Sequence, residues 1–230
     1  MKQKNVLIAG GTGLVGSHLS KLLIKKGYTV ALLSRSKSKK DGITKLQWDL
    51  NEMTIDDRIK DYPIIINLAG AGIADKRWTD KRKKIIIESR VLTNQLLQTY
   101  FEKHQWKPTL YLSASAIGIY GNTGAQEITE SSSVGTGFLA ETTDLWEKAI
   151  DKVDAQRKVI LRIGIVLSNH GGALPEMMKP IKFGSANYFN DGSHFTSWIH
   201  IEDLAQQIIF AIENEHVNGI YNGVAPNPVT

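Results

Sequence analysis

The sequence predicts an α/β fold with a doubly wound, mostly parallel sheet. Two observations carry this prediction: short apolar runs alternate with segments of helical periodicity over residues 1–165, and a glycine-rich turn joins the first run to the first helix. After residue 165 the chain breaks into short segments separated by glycine and proline. We therefore expect a main nucleotide-binding domain over residues 1–165 and a small substrate-binding subdomain over residues 166–230.

Six short apolar runs are typical of buried parallel strands, whose two faces are both covered by helices. They span residues 6–9, 28–33, 46–48, 64–68, 110–113 and 159–163. Helical spacing of apolar residues predicts helices over residues 17–26, 79–103 and 139–152, and Gly27 ends the first of them. A helix over residues 201–213 and a short strand over residues 220–222 follow in the C-terminal range.

The composition excludes several classes of protein. A chain of 230 residues with 42% hydrophobic and 22% charged residues is ordinary for a globular protein, which excludes collagen and coiled coils. The chain has no cysteine, so disulfides, thiolate metal sites and a cysteine nucleophile are excluded as well. The six histidines do not have the spacing of metal ligands, and we predict no metal site.

The mild positive charge suits a small anionic ligand as well as nucleic acid, and the surroundings of the basic runs bear on the choice between them. The net charge is +5, and the densest basic runs lie at residues 76–77 and 81–84. Only Trp78 is interleaved with them, so we expect a solvated helix face and no nucleic-acid partner. The uncharged stretch 5–20 contains four glycines and is shorter than the ~18 residues of a membrane span. We expect a cytoplasmic protein without membrane association.

The strongest functional signal is the turn between the first strand and the first helix, Gly10-Gly11-Thr12-Gly13-Leu14-Val15-Gly16. The first glycine permits a tight turn, the second lets backbone N–H groups approach a pyrophosphate, and the third lets the helix pack closely. The helix N-terminus then presents its partial positive charge to the anion. The turn predicts a Rossmann-type dinucleotide site formed by Gly10, Thr12, Gly13, Leu14, Val15 and Gly16.

The end of the second strand predicts which dinucleotide binds. An NAD site usually has Asp or Glu there to hold the ribose 2′-hydroxyl. This chain has Ser34 and Arg35 instead, and no carboxylate before Asp41. The Arg35 guanidinium can bind a 2′-phosphate with two donors, and Ser34 and Ser36 can donate to it as well. We therefore predict NADP(H) as the cofactor, in preference to NAD(H).

Several motifs resemble the extended short-chain dehydrogenase/reductase superfamily, whose members include sugar-nucleotide epimerases. They are Trp48-Asp49-Leu50, Asn67-Leu68-Ala69-Gly70, Ser113-Ala114-Ser115-Ala116 before Tyr120-Gly121, and Trp198-Ile199-His200-Ile201-Glu202-Asp203. The resemblance implies that Asp49 and Leu50 contact the adenine. It also implies that Leu68, Ala69 and Gly70 lie near the central part of the cofactor. Ser113 and Arg162 complete the cofactor contacts that we expect.

Three further stretches resemble an atypical branch labelled "epimerase family protein": residues 73–78, 161–167 and 198–200. Members of this branch usually carry a further C-terminal segment, which we expect to be missing here. The chain also departs from the superfamily pattern. The catalytic Tyr-x-x-x-Lys pair of the superfamily corresponds to Phe138 and Thr142, which supply neither a phenol nor an ammonium group.

Three residues are candidates for catalysis. Ser115 matches the superfamily serine that hydrogen-bonds the reacting oxygen, although a serine at a strand end also often bonds to backbone. Tyr120 is a candidate acid or a packed turn residue. His200 can titrate near neutral pH or serve a structural hydrogen bond. For Arg162, pairing with a carboxylate is the alternative to binding an anion.

Two hypotheses on function remain open at this point. The chain is either an NADP(H)-dependent oxidoreductase or epimerase acting on an unknown small substrate, or a non-enzymatic NADP-binding sensor or scaffold. Retention of Ser115 favours the first, and loss of the Tyr/Lys pair favours the second. A homodimer is the assembly that we expect.

Overall fold

Eight strands form one central sheet in the computed structural model, which describes residues 4–35, 43–182, 184, 192–193 and 195–230. The described residues form ten strands in all, and every one except β8 and β9 belongs to this sheet. Their order along the chain is β1 (Asn5–Ala9), β2 (Thr29–Ser34), β3 (Thr44–Asp49), β4 (Thr54–Ile55), β5 (Ile64–Asn67), β6 (Leu110–Ala116), β7 (Lys158–Ile163), β8 (Ile165–Leu167), β9 (Trp198–His200) and β10 (Gly219–Gly223). The sheet order is β10-β7-β6-β5-β1-β2-β3-β4, and every pair is parallel except β3 with β4.

Helices cover both faces of this sheet. They are α1 (Leu14–Lys25), α2 (Asp80–Lys103), α3 (Phe138–Asp151) and α5 (Ile201–Glu213), whereas α4 (Ala173–Lys182) lies against β8. Short 3₁₀ turns lie at Asp57–Asp61 and Ile117–Tyr120. One apolar cluster joins α1 and α5 to one face of the sheet, and a second joins α2 and α3 to the other. This arrangement confirms the doubly wound α/β fold that the sequence predicts.

The burial of β1 shows why its sequence is continuously apolar. Val6 and Ile8 belong to the cluster on the α1 and α5 side, whereas Leu7 and Ala9 belong to the cluster on the opposite side. All four side chains are fully buried. A strand with helices on both faces has no position for a polar side chain in its middle.

The chain after residue 165 is divided between two sheets. Strands β8 and β9 form a separate two-stranded parallel sheet, and α4 contacts β8. Helix α5 and strand β10 instead join the main sandwich, where β10 pairs with β7 and α5 packs beside α1. Helix α5 and strand β10, which both fall within the range predicted as a C-terminal subdomain, residues 166–230, therefore take part in the main core.

Element boundaries differ from the predicted ones by a few residues. Helix α1 begins at Leu14, three residues before the predicted start, because the glycine turn leads straight into the first helical turn. Strand β6 continues to Ala116. Strands β4, β8 and β9 and helix α4 were not predicted. Within the described ranges, no helix is both long and apolar enough to cross a membrane.

Candidate functional site

The candidate site lies where the sheet order reverses. Strand β1 lies between β5 and β2, so the connections after β1 and after β5 leave the sheet in opposite directions. A crevice at the carboxyl ends of such strands is the usual ligand site of an open α/β sheet. The glycine turn follows β1, and Leu68 follows β5. The backbone N–H of Leu68 donates to the Ala9 carbonyl at 2.9 Å, which holds the two segments together.

Two glycines of the turn are required by close packing inside the protein. Gly10 has a φ of +75°, and a Cβ at this position would lie 2.6 Å from the Leu68 carbonyl carbon and oxygen. A Cβ at Gly16 would lie 2.5 Å from the Gly10 carbonyl oxygen and 2.6 Å from Gly11 Cα. Both distances are shorter than any real Cβ contact. Gly10 and Gly16 therefore bring the turn, β5 and α1 together.

Gly13 differs from these two glycines because its surroundings are open. It is exposed, and the nearest atom to a Cβ there would be the Gly10 carbonyl oxygen at 3.3 Å. Gly13 is the N-cap of α1 with no side-chain cap, and the first turn of α1 contains no acidic residue. The first N–H groups of a helix lack intrahelical acceptors, so those of α1 are left for a ligand. The cradle beside Gly13 fits a pyrophosphate group.

The predicted ribose contacts lie at the end of β2. Ser34 is the last residue of β2 and is half-buried, and Arg35 follows it with an exposed side chain. Residues 36–42 of this basic loop lie outside the described part of the chain. The cofactor contacts of Ser34 and Arg35 stay predictions.

Asp49 and Leu50 have structural contacts of their own. One carboxylate oxygen of Asp49 accepts the backbone N–H groups of Asn51 at 2.8 Å and Glu52 at 3.2 Å, and so holds the turn after β3. Leu50 packs against the apolar cluster on the α2 and α3 face. Their adenine contact rests on the resemblance alone.

Leu68, Ala69 and Gly70 leave β5 beside the glycine turn, and their place near the central part of the cofactor stays a prediction. The Asn67 side-chain oxygen accepts the Ala69 N–H at 3.2 Å and fixes the start of this segment. Gly70 is exposed, and a Cβ there would lie 3.2 Å from Arg90 Cζ. The Arg90 guanidinium therefore lies directly against the backbone of Gly70.

Ser115 belongs to a buried ion-pair network. Its hydroxyl donates to Glu147 Oε1 at 2.5 Å. Arg162 donates from Nε to the same oxygen at 2.8 Å and from Nη2 to Glu147 Oε2 at 2.7 Å, which is a bidentate pair. The β6–β7 register sets Ser115 beside Arg162, and α3 supplies Glu147 from above. All three residues are less than 10% exposed.

Arg162 also connects Tyr120 to this network. Its Nη1 donates to the Tyr120 hydroxyl at 2.9 Å and to the Glu130 carbonyl at 2.9 Å. The Tyr120 hydroxyl in turn donates to the Asn222 side-chain oxygen at 2.7 Å. Hydrogen bonds to Glu147 raise the pKa of Arg162 above its usual value, in opposition to burial. Arg162 therefore pairs with a carboxylate, which was one of the two roles that the sequence left open for it. Its contact with the cofactor stays a prediction.

The structure does not bring His200 into this network. His200 is the N-cap of α5, and its Nδ1 accepts the Glu202 N–H at 3.3 Å. Its side chain is exposed, and the carboxylate of Glu202 bonds instead to His18 at 2.8 Å. Ser113 is fully buried, with its hydroxyl directed to the Ala114 carbonyl at 3.0 Å. The structure therefore connects Ser115 with Tyr120, but not His200 or Ser113.

The positions of the superfamily's Tyr/Lys pair lie on the first turns of α3. The Phe138 ring packs edge-on against Trp78 with centroids 5.1 Å apart, and Lys83 Nζ lies 5.5 Å from its centroid. Thr142 is buried, and its hydroxyl has no hydrogen-bond partner within the described residues. Neither residue supplies an acid at this end of the helix.

Sequence reasoning missed Glu147, Asn222 and Arg90. Glu147 could have been found, because it lies on the apolar stripe of an amphipathic helix between Thr143 and Ile150. A charged residue on such a stripe needs a buried partner. Asn222 and Arg90 have no such signal, since their neighbours come from distant parts of the chain.

A family model and a similar protein both match this chain over nearly its whole length. The model of the NAD dependent epimerase/dehydratase family matches residues 6–222. The chain is 37% identical to "Epimerase family protein YfhF" of Bacillus subtilis over 230 residues, which is 98% of this chain and 75% of that protein.

Two solved structures are similar over nearly the whole chain. The first is the human epimerase family protein SDR39U1 (isoform 2), which was solved with NADPH. It superposes on this chain with a TM-score of 0.83 at 32% sequence identity, and the match covers 98% of this chain and 76% of the human one. A nucleoside-diphosphate sugar epimerase from Corynebacterium glutamicum has a TM-score of 0.83 at 35% identity, and this chain covers 48% of it. These matches agree with the fold.

Proposed function

Because this chain belongs to the NAD dependent epimerase/dehydratase family, we propose that it binds NADP(H) and acts as an oxidoreductase on a small carbonyl or alcohol. The observation that carries the proposal is the open cradle at Gly13, above the uncapped first turn of α1. A similar human protein is solved with NADPH, which supports the choice of cofactor. A small-molecule substrate, a cytoplasmic location and a homodimer belong to the same proposal.

Three groups of residues contact three different parts of the cofactor in this proposal. The N–H groups at the start of α1, with Thr12 and Gly13 beside them, hold the pyrophosphate. Arg35 and Ser34 hold the ribose 2′-phosphate, because no carboxylate occupies their positions to bind an unphosphorylated ribose. The segment Leu68–Gly70 lines the path toward β6. When bound, the nicotinamide supplies or accepts the hydride that the substrate carbon exchanges.

Ser115 and Tyr120 act on the substrate oxygen in this proposal. Reduction of a carbonyl forms a new C–H bond, breaks the C=O π bond and leaves an oxygen that needs a proton. The Ser115 hydroxyl hydrogen is directed to Glu147, so the Ser115 oxygen is left to accept a hydrogen bond and orients the substrate through the hydroxyl of its alcohol form. Tyr120 gives the proton in this proposal, because its hydroxyl is the nearest acidic group in the network and accepts a hydrogen bond from Arg162 Nη1 at 2.9 Å. His200 serves at most a secondary role from outside the network.

A second candidate function is a non-enzymatic NADP-binding sensor or scaffold. One observation favours it: the hydroxyls of Ser115 and Tyr120 are both engaged in hydrogen bonds within the protein, while Phe138 and Thr142 occupy the positions of the usual acid and its lysine. A sensor would bind the dinucleotide through the same glycine turn and turn over no substrate.

Turnover of NADPH separates the two candidates. We would measure NADPH oxidation by absorbance over a panel of aldehydes, ketones and quinones, with the wild-type chain and with the variants Ser115→Ala and Tyr120→Phe. The enzyme proposal predicts turnover that falls at least ~100-fold in Tyr120→Phe, the usual contribution of a positioned acid. NADPH binding without turnover of any substrate would favour the sensor. Turnover unchanged in both variants would remove Ser115 and Tyr120 from the mechanism.

A further inference from the structure

Arg90 is a half-buried cation in the middle of α2, and its contacts differ from those of the other buried arginine. Its Nη1 donates to the Ala71 carbonyl at 3.1 Å and to the Ile86 carbonyl at 2.9 Å. Its Cζ lies 5.1 Å from the centroid of the Trp146 ring. The guanidinium thus lies between the segment after β5 and helix α3, directly against the backbone of Gly70.

No carboxylate within the described residues compensates the charge of Arg90. None lies within 4 Å of its guanidinium, whereas Arg162 has the bidentate Glu147. The charged neighbour that affects it is a second cation, Arg82. Burial, and then the charge of Arg82, lower the pKa of Arg90 to about 10. A buried charge without a counter-ion is costly, so such residues usually have a function.

One edge of the Arg90 guanidinium is unused. Both hydrogen bonds of Arg90 leave from Nη1, so Nε and Nη2 bond to none of the described residues. Neither nitrogen is fully buried: both lack a hydrogen-bond partner in the described part of the chain and yet remain accessible to solvent. The Nε–Nη2 edge is the pair of parallel donors that binds a carboxylate in two hydrogen bonds, as the same edge of Arg162 does with Glu147.

The location of this free edge is that of a substrate group. Gly70 and Ala71 follow β5, whose last residue, Asn67, pairs with Ser113 of β6 two positions before Ser115. The pyrophosphate of the cofactor has its own site at the start of α1, on the other side of β5. Arg90 therefore faces the carboxyl edge of the sheet at β5 and β6, where an open α/β sheet binds the second ligand.

We propose that the free edge of Arg90 binds the carboxylate of the substrate, so that the protein acts on small carboxylic acids that carry a carbonyl or hydroxyl group. This inference rests on the proposed function, because it assigns a substrate class to the same site. Binding of the carboxylate supplies the missing counter-charge. A neutral analogue of the same shape leaves Arg90 uncompensated and therefore binds more weakly.

The test compares each acid with its own uncharged ester. We would measure the binding of 2-oxo and 2-hydroxy acids of three to nine carbons, and of their methyl esters, to the chain saturated with NADP⁺, by calorimetry and by the shift in melting temperature. At least one acid is expected to bind at least 10-fold more tightly than its ester. In Arg90→Met this preference is lost, while the affinity for NADPH changes less than twofold. Arg90→Lys keeps the charge without the two-donor edge and is expected to bind the acid at least 10-fold more weakly. Arg90→Lys also tests the proposal if Arg90→Met does not fold.

The matched control is Lys84→Met, which removes a cation from the exposed side of the same helix and should leave the preference unchanged. If no acid binds better than its ester, or if Arg90→Lys keeps the full preference, the inference is wrong. A loss of NADPH affinity in either Arg90 variant would assign Arg90 to the cofactor and also overturn the inference. Turnover of aldehydes or esters without any preference for acids would leave the proposed function standing. Absence of NADPH binding to the wild-type chain would instead remove the proposed function.

Discussion

The Ser115 hydroxyl donates to Glu147 Oε1 at 2.5 Å, and this bond fixes the direction of a hydroxyl that the family resemblance assigns to the reacting oxygen. Arg162 holds the same carboxylate with two donors. Because Glu147 can only accept while it is ionised, the Ser115 oxygen is left as an acceptor toward the site. Glu147 is thereby a positioning residue for Ser115, although α3 and β6 are distant in the sequence.

Removal of the Glu147 charge should destabilise the fold. In Glu147→Gln the buried Arg162 cation loses its counter-ion, and breaking such a pair typically costs ~3–5 kcal/mol. We expect a decrease of about 3 kcal/mol in the free energy of unfolding, measured by urea denaturation at neutral pH. Glu141→Gln, on the exposed side of the same helix, is the control and should change it by less than ~0.5 kcal/mol. Equal stability of the two variants would mean that the ion pair contributes nothing.

The stability of the protein should fall at alkaline pH through Tyr111. This hydroxyl is fully buried, donates to the Asn94 side-chain oxygen at 2.6 Å and accepts from Asn67 at 2.9 Å. Burial raises the pKa of Tyr111 well above its usual value. Above pH ~10 the unfolded chain loses this proton while the folded chain keeps it, so stability falls by up to ~1.4 kcal/mol per pH unit.

The variant Tyr111→Phe isolates this effect. It loses two hydrogen bonds at neutral pH and is less stable there, but it has no proton to lose. Urea unfolding between pH 8 and pH 11 should therefore show that the stability difference from wild type narrows above pH 10. Tyr221→Phe, which removes an exposed hydroxyl, should not change the slope. Parallel curves for wild type and Tyr111→Phe would show that the hydroxyl titrates alike in both states.

The choice between the two dinucleotides should depend on Arg35. Reversal of its charge in Arg35→Asp removes the donors for a 2′-phosphate and adds an acceptor for a 2′-hydroxyl. Hydrogen bonds to a charged group contribute ~1.5–3 kcal/mol each, so the ratio of NADPH to NADH affinity should fall at least ~10-fold. Both affinities are measured by fluorescence titration. The control is Lys152→Asp, which makes the same charge change at the C-terminal end of α3 and should leave the ratio of NADPH to NADH affinity unchanged. An unaltered ratio in Arg35→Asp would exclude this contact.

The local part of the architecture was predictable from the sequence. The first strand, the glycine turn and α1 are neighbours along the chain, so the spacing of Gly10, Gly13 and Gly16 encodes both the turn and the packing of the helix. The alternation of apolar runs predicted the parallel sheet for the same reason. Each strand and the helix after it form a unit that is visible in one short stretch of sequence.

Long-range pairing was not predictable in this way. Strand β10 joins the sheet beside β7, which precedes it by more than fifty residues, and no feature of Gly219–Gly223 indicates this partner. The partners of Ser115 and Tyr120 come from α3, β7 and β10, and only the assembled sheet brings Glu147, Arg162 and Asn222 together. For the same reason, the sequence did not show that Arg90 lies against Gly70.

The most direct test of the account is a calorimetric titration of the wild-type chain and Gly13→Val with NADPH. Gly13 has an extended backbone that valine can adopt, but a Cβ there would make a tight contact of 3.3 Å with the Gly10 carbonyl oxygen, so the stability of the variant is measured by urea denaturation beside the titration. Its valine fills the space of the pyrophosphate. We predict saturable binding of one NADPH to the wild type, at least 10-fold weaker binding to Gly13→Val, and unchanged binding to Gly223→Ala, a control at the end of β10. Absence of NADPH binding to the wild type, or equal affinity in Gly13→Val, would contradict the account.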